Sequence, residues 1–180
     1  MQKFSAHFGF TLVELMVVVS VIGILSSIVY ANFGGARAGA RDDVRKSALK
    51  EMQLAIELYK AQYGNYPPSG CSAGAGVWTG PGPTGSFPNA VTCDMYIAGL
   101  MPDFIAQLPT DPTRENELGI GYYYQSDGVS YKLLSNAIEQ KMVTSYSDDY
   151  ARCPGQGGSC PAATPPTAVY AVYASGAAQW

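Results

Sequence analysis

Gly9-Phe10-Thr11-Leu12-Val13-Glu14-Leu15 opens an apolar run that continues to Ala31. Between Phe10 and Ala31 there is no Lys, Arg, Asp, Asn, Gln or Pro, and a single acid, Glu14. As a helix this run is ~33 Å long at ~1.5 Å per residue, which matches a hydrocarbon core of roughly 30 Å. Helix is the expected state, because only a helix or a closed barrel satisfies its own backbone in lipid. Glu14 is the anomaly, since a carboxylate in a membrane span costs on the order of a few kcal/mol unless it is paired. Two readings stay open. Glu14 lies near the helix end, where it snorkels to the interface or is protonated. Alternatively, a cut between Gly9 and Phe10 gives Phe10 a new α-amino group. That charge would lie one helical turn from Glu14, or opposite Glu14 of a neighbouring helix, where the pair would set register between identical subunits.

Gly9-Phe10-Thr11-Leu12-Val13-Glu14-Leu15-Met16-Val17-Val18 resembles the processing and transmembrane signature of type IV pilins and of the pseudopilins of type II secretion. The pattern is a short basic leader, Gly at the cut, Phe as the first mature residue and Glu as the fifth. The resemblance implies that a prepilin peptidase cleaves after Gly9, that Phe10 is N-methylated and that Glu14 neutralises the amino terminus of a neighbouring subunit during assembly. It implies an α+β pilin fold, with a long amino-terminal helix packed on a small head with a three-stranded antiparallel β-sheet. The expected segments are a leader at 1–9, a transmembrane and filament-core helix at 10–33, an amphipathic half-helix at 34–66 and an extracytoplasmic head at 67–180. The implied partners are further copies of the chain, related minor pilins, the prepilin peptidase, an inner-membrane assembly platform and, before assembly, membrane lipid. The implied location is a single pass through the inner membrane with the head outside, and then a cell-surface or periplasm-spanning filament.

The leader carries Lys3 and His7 and no acid, so the positive-inside tendency keeps it cytoplasmic. An ordinary secretory signal has its apolar core before the cut. Here the core follows it and is retained. His7 is the chain's one histidine, and losing it leaves a mature chain with no histidine-based triad, metal site or general base. With no nucleophile motif either, a membrane-anchored enzyme is disfavoured. The net charge of −3 argues against nucleic-acid binding through a basic surface.

Asn32 to Gly39 is glycine-rich, and each Gly costs a helix roughly 1 kcal/mol relative to Ala. A bend or a simple linker is expected there. Arg41 to Tyr63 repeats apolar residues at Val44, Ala48, Met52, Ala55, Ile56, Tyr59 and Tyr63, the spacing of a core-facing helical stripe. Asp42 and Lys46 are an i, i+4 pair on that helix. Gly64-Asn65 and Tyr66-Pro67-Pro68 end it. Ser69 to Thr92 reads as a loop. Leu108-Pro109-Thr110-Asp111-Pro112 resembles the stretch before the sheet in pseudopilin heads, with Asp111 as a turn former. Tyr122–Gln125 and Val129–Leu133 around Ser126-Asp127-Gly128 predict a hairpin, and Ala168–Ala174 predicts a third strand. The tyrosine row is either a strand former or a stacking surface for sugar or nucleic acid. The former is the stronger reading, so nucleic acid and glycan are not the expected partners, although a ligand-binding minor pilin is a competing class.

Four cysteines on the oxidising side of a membrane favour disulfides. Cys71 with Cys93 and Cys153 with Cys160 are the expected pairs, because each closes one Gly/Pro-rich loop. Four cysteines allow three pairings. Their spacing does not suit zinc. Relatives of the major pseudopilin class hold calcium in a head loop, but Ser147, Asp148 and Asp149 do not make a dense oxygen-rich run. No cofactor or metal is therefore expected, and the Cys153–Cys160 loop is the expected staple in its place.

Overall fold

A computed structural model describes residues 10–81, 90–112, 120–136, 138–153 and 169–180, with the side chains of residues 28, 29, 31 and 32 outside that description. The chain divides into two units, Met1–Arg37 and Ala38–Trp180. A helix, α1 (Leu12–Tyr63), runs through both. The helical assignment is continuous across residues 32–39, so the expected bend or linker there is not present as a break in the helix.

In the first unit the side chains of α1 are exposed, and from Leu12 to Leu25 most of them are large and apolar. Ser20 and Ser27 sit in this apolar stretch by donating their hydroxyls back to the carbonyls of Met16 and Ile24, both at 2.7 Å, which spares them an unpaired polar group. Among the described residues no helix is long and apolar enough to cross a membrane.

In the second unit α1 turns Ala48, Leu49, Met52, Ala55 and Ile56 into the core. The buried stripe is rotated from the expected one. Val44 and Tyr63 are about half exposed (53% and 54%), whereas Arg45, outside that stripe, is fully buried. The cause is an ion cluster. Arg45 donates Nε and Nη2 to the two oxygens of Asp111 (2.7 and 2.9 Å), Nη1 to Asp42 (2.8 Å) and Nη2 to Glu139 (3.0 Å). Asp42 also accepts the main-chain N–H groups of Glu139, Gln140 and Lys141 at 3.1, 2.8 and 2.9 Å. Asp42 therefore works as a buried anchor for Arg45 and residues 139–141. Asp111 is likewise more than a turn former, being buried on Arg45. The helix ends as expected. Gly64 takes φ +84° and its N–H bonds the Lys60 carbonyl at 2.8 Å, a left-handed cap that Gly adopts without a Cβ penalty.

The strands are β1 (Thr79–Gly80), β2 (Val91–Thr92), β3 (Gly121–Ser126), β4 (Tyr131–Asn136) and β5 (Val169–Tyr173). They form one sheet in the order β2-β1-β3-β4-β5. The expected antiparallel trio is present as β3, β4 and β5. The expectation of a three-stranded antiparallel sheet is nevertheless corrected. The segment read as loop adds β1, antiparallel to β3, and β2, parallel to β1, which makes the sheet five-stranded and mixed. Gly80 permits this, because a Cβ there would lie 2.7 Å from the Tyr122 carbonyl oxygen and 2.8 Å from the Tyr123 ring. Cys93 N–H then bonds Gly80 O at 2.7 Å.

Tyr122, Tyr124, Tyr131, Leu133, Tyr170 and Val172 join the helix core, and Tyr123, Leu134, Val169 and Ala171 form a second apolar cluster with Trp78 and Tyr173. Alternation along the strands assigns the two sets to opposite faces of the sheet. Tyr122, Tyr123 and Tyr124 are all fully buried. They therefore offer no exposed stacking platform. Lys132 on β4 is buried too, and its Nζ donates to the main-chain oxygens of Ala178 and Trp180, both at 3.0 Å. Burial pushes its ammonium down to about 7.

Candidate processing and assembly site at the helix start

Phe10 and Thr11 precede the first helical residue, Leu12. The first turn of a helix leaves N–H groups without helical partners, and Thr11 and Glu14 provide partners here. Thr11 Oγ1 accepts the Glu14 N–H at 3.2 Å. In return Glu14 Oε2 accepts the Thr11 N–H at 3.5 Å and the Thr11 hydroxyl at 3.4 Å. This is a capping box, Thr-x-x-Glu, in which two orphan donors are satisfied reciprocally. Glu14 is also one of the first-turn positions where the helix dipole favours an anion.

The geometry gives Glu14 a role absent from the readings of the sequence. In the described chain the carboxylate folds onto its own helix start. The signal was present, since Thr11 and Glu14 stand three apart just before an apolar run. The contacts are long and exposed, so they orient the carboxylate without sequestering it. Phe10 is 79% exposed. Gly9, the other side of the expected cut, lies outside the described residues, as do Lys3 and His7.

The remaining expected site residues are the cysteines. Cys71 and Cys93 are bonded, with 5.8 Å between their Cα atoms. The bond closes the stretch that carries β1 and β2 and ties it beside the sheet. Cys153 is buried and disulfide-bonded, and Cys160, its expected partner, lies outside the described residues. Among the described residues no group of three or more His, Cys, Asp or Glu side chains is arranged to hold a metal ion. In the 145–151 stretch, Asp148 instead caps a turn by accepting the Tyr150 N–H at 2.9 Å.

A family profile described as the prokaryotic N-terminal methylation motif matches residues 5–30. Over about a third of its length the chain is similar to type II secretion system core protein G. The Aeromonas hydrophila protein is 37% identical over 67 residues, covering 37% of this chain and 46% of that protein. The Vibrio cholerae protein is 36% identical over 67 residues, with the same two shares. The Escherichia coli K12 protein is 37% identical over 59 residues, covering 33% of this chain and 41% of its own length. The chain thus spans less than half the length of these relatives. No solved structure matches.

Proposed function

We propose that this chain is a structural subunit of a type IV pilus-like filament, and more narrowly a pseudopilin of a type II secretion system. The observation that carries the proposal is the helix start: the capped Glu14 heads an exposed apolar helix, within the stretch that matches the methylation motif. The similarity to core protein G favours secretion over a surface pilus.

In this reading a prepilin peptidase cuts after Gly9 and Phe10 is N-methylated. The apolar half of α1 first holds the chain in the inner membrane with the second unit outside, and then packs with other copies in a filament core. Glu14, held at the helix start by Thr11, faces the Phe10 amino group of a neighbouring subunit. An ammonium and a carboxylate pair strongly in a water-poor interior, and each alone would be costly there. The partners are other copies, related minor subunits, the peptidase and a membrane assembly platform. The work is assembly, with no catalytic step assigned to any residue.

The test is the intact mass of the membrane-extracted protein, from wild type and from Gly9→Ala. Loss of residues 1–9 together with one added methyl group, both blocked in the variant, is the expected result. An uncleaved wild-type chain would sink the filament reading.

A further inference from the structure

Tyr30, Phe33 and Arg37 stand at i, i+3 and i+7 on α1, which brings them to one face of the helix. All three are solvent-exposed, Tyr30 at 84%. The Arg37 guanidinium folds back over the preceding turn, with its central carbon 5.9 Å from the Phe33 ring centroid. It therefore reaches toward the apolar run. Among the described residues no carboxylate pairs with Arg37. Arg41, one turn on in sequence, bonds Glu139 through Nε at 2.8 Å and is already neutralised.

The dimensions fit one kind of ligand. If the run ending at Ala31 fills the hydrocarbon core, Arg37 lies six residues, ~9 Å, beyond it. The polar layer on each side of a bilayer is roughly 5–8 Å deep. A guanidinium folded back by one turn then sits at phosphate depth. Tyr30 and Phe33 sit at the boundary, where amphipathic aromatic rings concentrate. A guanidinium fork matches the oxygen geometry of a phosphate. The charge complement of an unpaired cation at that depth is an anionic headgroup.

We propose that Tyr30, Phe33 and Arg37 form a headgroup clamp for an anionic phospholipid. Arg37 pairs with the phosphate, and the two rings pack against the first carbons of the acyl chains. The proposal rests on the membrane-stage reading above. As a consequence, the subunit carries a specific lipid contact that must be released when it leaves the bilayer for a filament.

The test uses the full chain reconstituted in phosphatidylcholine vesicles containing trace spin-labelled phosphatidylglycerol or spin-labelled phosphatidylcholine. The motionally restricted fraction gives the relative association of each lipid. One interfacial cation is worth about fivefold in favour of the anionic lipid. Wild type is expected to show that preference, Arg37→Gln to lose it and Arg37→Lys to retain it. Equal association of both lipids with wild type, or a preference that survives in Arg37→Gln, overturns the clamp and leaves the membrane stage standing. Absence of restricted lipid of either kind would mean that the chain is not in the bilayer, and removes the membrane reading and the clamp together.

Discussion

Arg45 is the residue on which the second unit turns, because it satisfies three carboxylates from a fully buried position. Removing one partner of a buried ion pair strands the others, and typically costs ~3–5 kcal/mol. Arg45→Met keeps the bulk, deletes the charge and is expected to lower unfolding stability by about that much in urea titration. Arg41→Met, at a part-exposed pair with Glu139, is expected to cost less than ~1 kcal/mol. The cluster also sets an acid limb. Hydrogen bonding from Arg41, helped by Arg45, holds the Glu139 carboxyl at about 2, against an ordinary value of 4.5. For Asp42, burial favours the neutral form, but three main-chain N–H donors and Arg45 outweigh it and the carboxyl is lowered. A carboxyl lowered on folding is protonated first in the unfolded chain, so its stabilisation is complete above the ordinary value and drains away as pH falls. Thermal unfolding should therefore show stability falling between pH 4.5 and about 2, and Glu139→Gln should flatten that fall.

At the scale of elements, the half of α1 after Arg41 and the strand β5 were readable from their apolar period, and β3 and β4 from aromatic and β-branched runs flanking a turn. β3 and β4 stand on either side of Asp127-Gly128 and pair as an antiparallel hairpin. The two-residue strands β1 and β2 have no period to read, and what made them possible is a missing side chain at Gly80. The rotated face of α1 escaped the sequence for a different reason. Hydrophobic spacing assigns Arg and Asp to the surface, and only the fold shows that Asp111 and Glu139, 66 and 94 residues from Arg45, arrive to pair with it. Glu14 was legible as unusual, and the Thr11-x-x-Glu14 spacing also carried its cap. For β1, Gly80→Ala is expected to destabilise the unit by ~1–3 kcal/mol, the range for overpacking a tight site. The Cys93 amide, bonded to Gly80 O, should lose hydrogen-exchange protection first, while amides of β4 keep theirs. Unchanged protection at Cys93 would mean that the close approach of β1 to β3 is not a constraint.

At the scale of the whole molecule, the two units differ in where their apolar surface goes. In the second unit much of it is buried, between α1 and the sheet and in a second cluster on the sheet's other face. From Leu12 to Leu25 large apolar side chains lie on the outside of a helix with nothing over them, an arrangement that soluble monomers avoid and that marks a surface meant for lipid or protein. The second unit holds its own core, its ion cluster and its disulfide, so its folding does not draw on the first. A chain beginning at Ala38 is therefore expected to be soluble, folded and monomeric by sedimentation, with a single cooperative unfolding transition. Replacing Cys71 and Cys93 together by Ser should lower its stability by about 3 kcal/mol, the loop-closure value for the 22-residue separation. The full chain, measured alongside without detergent, should associate. Extending the helix to begin at Phe10 while replacing Val13, Val17, Ile24 and Leu25 with Gln should restore solubility, because it removes apolar surface and leaves the second unit untouched. If the chain from Ala38 instead fails to fold, the first unit supplies more than an anchor, and the separation of an assembly helix from a self-sufficient head is wrong.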